Sequence, residues 1–122
     1  MRGIVNSDLE AVLELKFQDK NGQEQLIEVI IDTGFNGYLT LPSKIIEQLN
    51  SSYLGQIRST LADGNSGIFD IYQVALQWDN QLKQVEVDVM ECTPLIGMAL
   101  LKNYQLQLSV VVGGEVLILP LP

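Results

Sequence analysis

The chain has 122 residues, of which 47% are hydrophobic and 18% charged. This length and composition predict a single folded domain that comprises residues 1–122. Seven basic and fifteen acidic residues give a net charge of -8, which disfavours a nucleic-acid partner because the phosphate backbone would be repelled. The sequence contains no histidine, which excludes a Ser-His-Asp triad, a Cys-His pair and an imidazole-bound metal.

The sequence also lacks a second cysteine, a membrane span and a secretory signal, which limits the possible chemistry and the expected cellular location. Cys92 is the only cysteine, so an internal disulfide and a multi-thiolate zinc site are excluded, and we expect a small buried hydrophobe there. No apolar run has the length of a membrane span, and residues 1–8 do not form a secretory signal, so we expect a cytoplasmic protein without a membrane partner. Carboxylates remain for acid–base chemistry, and nothing implies a cofactor or a metal.

The first half of the chain alternates hydrophobic and polar residues with the period of a half-buried strand. The predicted elements are a strand at 13–17, an Asn-Gly hairpin turn at 21–22, a strand at 26–31 and an extended run at 38–41. A short helix follows Pro42, with Ser43 as its expected N-cap.

The second half shows the same alternation, and its first two strands are joined by a polar, glycine-rich linker. The predicted elements are strands at 55–62 and 68–78 joined by residues 63–67, a strand at 85–89, a short helix at 98–102, and strands at 106–110 and 116–119. About eight strands and two short helices predict an all-β barrel or sandwich.

Asp32, in Asp32-Thr33-Gly34, is the candidate for chemistry. As an isolated motif, these three common residues would indicate only a strand that ends in a turn. Their context favours a functional role, because Asp32 directly follows the apolar run at 29–31, which is expected to lie in the core. A charge at such a place needs hydrogen bonds or a second acid that shares its proton. A glycine-punctuated loop follows at 33–37, and Leu95-Ile96-Gly97 precedes the second helix.

The sequence resembles the retropepsin-like aspartic proteases in three features that occur in the same order: the motif at 30–34, the hairpin around Asp63-Gly64 and the triplet at 95–97. The sequence around Asp32 is most similar to the small single-domain prokaryotic group of that clan, and the resemblance extends over residues 13–119. It implies an all-β fold: a closed β-barrel with two short helices that forms one protomer of a two-fold dimer.

The resemblance also implies roles for individual residues. Asp32 would be the catalytic carboxylate, Thr33 would hydrogen-bond across the dimer, and Gly34 would permit the tight backbone of the loop. The other site residues would form a flap over the substrate, support the catalytic loop from beneath, or line the dimer interface. They are Ala62, Asp63, Gly64 and Asn65 at the flap tip, Leu95, Ile96 and Gly97 beneath the loop, and the strand 116–119 at the interface.

Two departures from the retroviral members concern the cleft and the dimer. The bulky Phe35 follows Asp-Thr-Gly where those enzymes have a small residue, and it would narrow the cleft or cover a subsite. The second helix begins with Met98-Ala99, without the polar pair that helps hold the retroviral dimer together.

The single Asp-Thr-Gly motif predicts that the working form is a homodimer. Aspartic protease chemistry needs two carboxyl groups that share a proton, and this chain supplies one such motif. A two-fold dimer would place Asp32 opposite its own copy. The prediction is an aspartic endopeptidase that acts on peptides or proteins and is inactive as a monomer. The alternative is a catalytically silent dimer of the same fold that binds peptide or protein partners.

Overall fold

The computed structural model describes residues 1–60, 64 and 66–122, with Ser59 and Thr60 described by their backbone alone. Ten strands and two short helices occur in these residues. The strands are β1 (Arg2–Val5), β2 (Ala11–Gln18), β3 (Glu24–Ile31), β4 (Leu39–Leu41), β5 (Ser51–Thr60), β6 (Ser66–Trp78), β7 (Gln81–Val89), β8 (Leu95–Ile96), β9 (Tyr104–Leu108) and β10 (Glu115–Pro120). The helices are α1 (Ser43–Gln48) and α2 (Met98–Leu101).

All ten strands belong to one sheet with the order β5-β6-β7-β4-β8-β3-β2-β1-β10-β9. Most neighbours are antiparallel, whereas β3–β8 and β4–β7 are parallel. A pairing of Phe17 with Leu76 also joins β2 to β6, so the sheet folds back on itself. The predicted all-β class with two short helices is therefore confirmed. The closed barrel stays a prediction, because a single residue pair makes this junction.

The core is formed by one face of the alternating strands. In β2, Leu13, Leu15 and Phe17 are buried, while Glu14 and Lys16 between them are exposed. Burial of each large apolar side chain stabilises the fold by about 1.5–3 kcal/mol, which explains why the period of two is maintained along this strand. In the described part of the chain, no helix is long and apolar enough to span a bilayer.

The structure differs from the sequence prediction at two short strands and at one helix cap. The strands β1 and β8 have four and two residues, too few to establish a period of two. Ser43 is the first residue of α1 and Pro42 is its N-cap, so the predicted serine cap is wrong. The Ser43 backbone N–H donates instead to Glu91 Oε1 at 3.0 Å, because a carboxylate from a distant segment satisfies the helix start.

Three connecting segments meet at one end of the sheet. Val12 of β2 pairs with Ile30 of β3, so the β1–β2 turn at 6–10 lies beside the end of β3, where the chain enters the loop that begins at Asp32. The turn at 109–114 lies at the same end, because Val5 exchanges backbone hydrogen bonds with Gly113 and Gly114. Residues that are distant in sequence are thus neighbours around Asp32.

Candidate active site

Asp32 lies immediately after β3, and its carboxylate is half-buried. Its backbone N–H donates to the Ile96 carbonyl at 2.9 Å, and its own carbonyl accepts from the Phe35 N–H at 3.1 Å. The side-chain Oδ1 accepts from the Gly34 N–H at 2.9 Å. The tight turn at 32–35 therefore fixes the direction of the carboxylate and supplies one donor to its charge.

The strand β8 holds this loop from behind. Ile96 pairs with Ile31 of β3 on one side and with Leu39 of β4 on the other, and it is fully buried. Its neighbour Leu95 is half-buried, and its N–H donates to the Thr40 hydroxyl at 3.1 Å. The short strand is thus fixed between two longer elements, and Asp32 moves only if they move.

Gly97 is the point of closest approach between the loop and α2. A Cβ at this position would meet the carbonyl oxygens of Gly37 and Phe35, so only a hydrogen fits. The N–H groups of Gly97, Met98 and Ala99 donate to loop carbonyls at 3.0, 2.8 and 3.1 Å. The first N–H groups of a helix have no acceptor within it, and here the loop at 35–38 provides those acceptors.

Phe35 packs on Gly37 of its own loop and on Gly97, the N-cap of α2. A Cβ added to Gly37 would lie 2.5 Å from the Phe35 Cζ, and one added to Gly97 would lie 2.6 Å from its Cδ2. The ring is half-buried in that position and is not part of the wall of the cleft beside Asp32. In the protomer, this large side chain therefore supports the loop from behind and does not narrow the cleft.

An open cleft of about 440 Å³ lies beside Asp32, large enough to receive a peptide side chain. Its lining combines an apolar floor with a polar rim. The lining residues are Glu10, Ile30, Ile31, Asp32, Thr33, Cys92, Thr93 and Leu95. The three aliphatic side chains come from β3 and β8, the same strands that fix the position of Asp32.

The segment at 90–94 forms one wall of the cleft and is fastened at several points. The Met90 N–H donates to the Leu41 carbonyl at 3.0 Å, and the Pro94 carbonyl accepts from the Ile30 N–H at 2.9 Å. Hydrogen bonds from Ser43 hold the pKa of Glu91 below its usual range. The wall is therefore tied to β3, β4 and α1.

The structure brings together part of the residue set proposed from sequence. Asp32, Thr33 and Leu95 line the cleft, Gly34 bonds the Asp32 carboxylate, and Ile96 and Gly97 lie behind the loop. Gly64, at the predicted flap tip, is exposed with a φ of 87°. The other predicted flap residues, Ala62, Asp63 and Asn65, lie outside the described residues, so the flap stays a prediction.

Cys92 and Glu10 are among the cleft residues that the sequence did not assign to the site. Cys92 is exposed and lies in the cleft wall, so the predicted buried hydrophobe is wrong. Glu10 enters the cleft because β2 runs antiparallel to β3, which places the start of one strand beside the end of the other. The sequence around Glu10 contains no motif, and only the strand pairing indicates its position.

Comparisons with known proteins define the class of fold. No protein-family model and no curated protein matches this sequence. Among solved structures, the chain shares the fold of the retropepsin-like aspartic proteases. The crystal structure of a retropepsin-like aspartic protease from Rickettsia conorii matches with a TM-score of 0.58 and 15% identity, over 99% of this chain and 89% of that chain. At this identity the likeness establishes the fold, and the chemistry must be argued from the site.

Proposed function

We propose that the chain is an aspartic endopeptidase whose working form is a homodimer, with Asp32 and the partner's Asp32 as the catalytic pair. The observation that carries this proposal is the carboxylate itself. In a retropepsin-like fold, Asp32 follows a buried strand, accepts a hydrogen bond from Gly34 and faces a cleft with an apolar floor. These are the conditions in which an acid can serve proton transfer beside a bound peptide.

The reaction requires a water molecule between two carboxyl groups that share one proton. The ionised carboxylate takes a proton from the water while the water oxygen attacks the peptide carbonyl carbon. The protonated carboxyl donates its proton to the carbonyl oxygen. The C–N bond then breaks as the carboxyl that took the water proton donates it to the nitrogen, and a hydroxyl of the tetrahedral intermediate returns a proton to the other carboxylate. The substrate would bind as an extended strand beneath the flap segment at 62–67, and no cofactor takes part.

The dimer is supported by exposed apolar side chains at the end of the sheet where Asp32 lies. Val110, Val111 and Val112 expose 62%, 62% and 66% of their surface, and Leu9 in the neighbouring turn exposes 58%. Contiguous exposed apolar residues mark interaction surfaces, and the dyad is incomplete without a second copy of the chain.

The strand 116–119, which the resemblance places in the dimer interface, has a smaller part in the dimer that we propose. Val116 and Ile118 are fully buried in the core of the protomer, and β10 pairs with both β1 and β9. Its backbone groups are therefore occupied, and we assign the dimer contact to the valine turn (Val110–Val112) and Leu9. A hydrogen bond from Thr33 to the partner subunit remains part of the proposal, because Thr33 is exposed at the same end.

The proposal is tested by cleavage of a diverse peptide library between about pH 3 and pH 8, the range in which carboxyl pairs titrate. Asp32→Asn should lower kcat/KM by at least about a thousandfold while the dimer persists in a mass measurement. Asp79→Asn is the matched control, since Asp79 lies in the β6–β7 turn, away from the cleft, and should retain activity.

The other outcomes contradict the proposal in different ways. Equal and negligible cleavage by well-folded dimers of both wild type and Asp32→Asn would favour the catalytically silent peptide-binding dimer. Equal and substantial cleavage by both would show that another group is responsible. Binding of a statine-type peptide, which mimics the tetrahedral intermediate, provides a second measure of a working dyad.

A further inference from the structure

The cleft beside Asp32 contains a second carboxylate, Glu10, that the proposed reaction does not use. It is half-buried and belongs to a turn closed by Asn6. The Asn6 Nδ2 donates to Glu10 Oε1 at 3.0 Å, and the Glu10 N–H donates to Asn6 Oδ1 at 2.9 Å. The Asn6 N–H also donates to the Glu10 carbonyl at 2.9 Å. The two backbone hydrogen bonds close the turn, and the one from Asn6 Nδ2 orients the Glu10 carboxylate.

This carboxylate has no positive neighbour in the part of the chain that the structure describes. The ion pairs there join Arg2 to Glu115 and Lys16 to Glu24. The described lining of the cleft includes the two acids Glu10 and Asp32 and contains neither lysine nor arginine. Asn6 gives the Glu10 carboxylate one neutral donor, and a ligand cation would add a stronger, charge-assisted hydrogen bond.

The floor of the cleft determines what such a ligand must look like. Ile30 and Leu95, which pair across β3 and β8 and are both half-buried, supply its aliphatic surface, whereas Ile31 belongs to the core of the protomer. Lysine and arginine side chains bury an apolar stem on such a surface while the charged head reaches a polar rim. An acidic side chain would meet the carboxyl groups of Glu10 and Asp32, and a purely apolar one would give the Glu10 carboxylate no cation.

We propose that Glu10 makes the subsite beside Asp32 selective for a lysine or arginine side chain of the bound peptide. The aliphatic floor receives the stem, and the Glu10 carboxylate receives the cationic head. The position of this subsite next to the cleaved bond rests on the proposed function. The preference for a cation in the cleft depends only on Glu10, its Asn6 clamp and the aliphatic floor.

The kinetic test compares peptides that differ at one position. Substrates found by the library are prepared with either lysine or norleucine, an uncharged side chain with the same stem length, at each residue that flanks the cleaved bond. Wild type should favour lysine in kcat/KM by about three- to tenfold, as expected for a half-exposed charge pair. Glu10→Gln keeps an acceptor for Asn6 and removes the charge, so the ratio should fall close to one.

A matched control removes the same charge elsewhere. Glu28→Gln lies on the exposed face of β3, outside the cleft lining, and should keep the wild-type ratio. An equal fall of the ratio in both variants would overturn the proposal, since net charge would then explain the preference. A wild-type ratio of one, or a preference that persists in Glu10→Gln, would overturn it as well.

A binding measurement separates this proposal from the proposed function. Fluorescently labelled pools of octapeptides, with lysine or norleucine at one central position, are titrated with wild type and with Glu10→Gln and followed by anisotropy. Tighter binding of the lysine pool that disappears in Glu10→Gln supports the cationic subsite, even if wild type cleaves nothing and the protease proposal fails. Equal binding of the two pools by wild type overturns the subsite whether or not cleavage occurs.

Discussion

Among single residues, Asp88 gives the clearest expected dependence of stability on pH. It lies on β7 opposite Ile71 of β6 and is half-buried. Burial, followed by the neighbouring Glu86, raises the pKa of Asp88 above its ordinary value of 3.8. The folded state therefore binds this proton more tightly than the unfolded state does. The charged side chain destabilises the fold at neutral pH, and the penalty disappears as the pH falls through the raised pKa.

We therefore expect Asp88→Asn to raise the melting temperature at pH 7 by about 2–5 °C. Asparagine has a similar shape and avoids the cost of burying a charge. Below pH 3.8 the aspartate is protonated in both states, so wild type and variant should melt at similar temperatures. Thermal unfolding followed by circular dichroism at the two pH values checks the prediction, and an equal gain at both would show that the charge is not the cause.

The amount of chemistry that could be predicted from sequence differs from residue to residue. Asp32 could be identified because a local motif ends an apolar run, and both features lie within a few positions. Glu10 could not, because the β2–β3 register alone brings it to the cleft. Cys92 was misassigned because a lone cysteine is usually buried, whereas here it lies in the exposed segment after β7.

Among the elements, those that repeat a period were predictable and those that act as connectors were not. The eight residues of β2 show the alternation of a half-buried strand, and its position follows directly. The two residues of β8 show none, although this strand joins β3 to β4 and holds the Asp32 loop from behind. Its role depends on pairing at long range, which local pattern does not contain.

Thr40, in β4, is a polar residue at a core position and is only 1% exposed. Its hydroxyl accepts the Leu95 N–H at 3.1 Å, so it satisfies a backbone donor where β4 and β8 meet. Thr40→Val keeps the shape and removes the acceptor, which should lower the free energy of unfolding by about 1–3 kcal/mol. Thr40→Ser keeps the hydroxyl and loses a methyl group, at about 0.8 kcal/mol.

Urea unfolding of both variants measures the difference between them. A valine variant as stable as the serine variant would show that the Leu95 N–H finds another partner. If the hydrogen bond also positions the catalytic loop, Thr40→Val should lower kcat more than Thr40→Ser does, because β8 fixes the backbone of Asp32.

For the whole molecule, the main feature is that the candidate site residues cluster at one end of the sheet. The loop of Asp32, the turn that holds Glu10 and the valine turn meet there, although they are far apart in sequence. The opposite end contains the β2–β3 and β6–β7 turns. The sequence predicted most of the strands, but it did not indicate which turns share an end, because that depends on the order of strands in the sheet.

This arrangement predicts that a charge in the valine turn separates the protomers. Val111 is 62% exposed, and Val111→Glu would place a carboxylate in the proposed contact, where it must lose water without a cation to pair with. We expect the dimer dissociation constant to rise at least about tenfold, and cleavage to fall with it at dilute concentration because each site needs two copies of Asp32.

Leu82→Glu is the matched control, since Leu82 is 60% exposed at the opposite end. Sedimentation equilibrium and activity as a function of protein concentration measure both quantities. If Val111→Glu forms dimers as tightly as Leu82→Glu, the contact between protomers lies elsewhere; if it is monomeric and still cleaves peptides, a dyad shared by two chains is wrong.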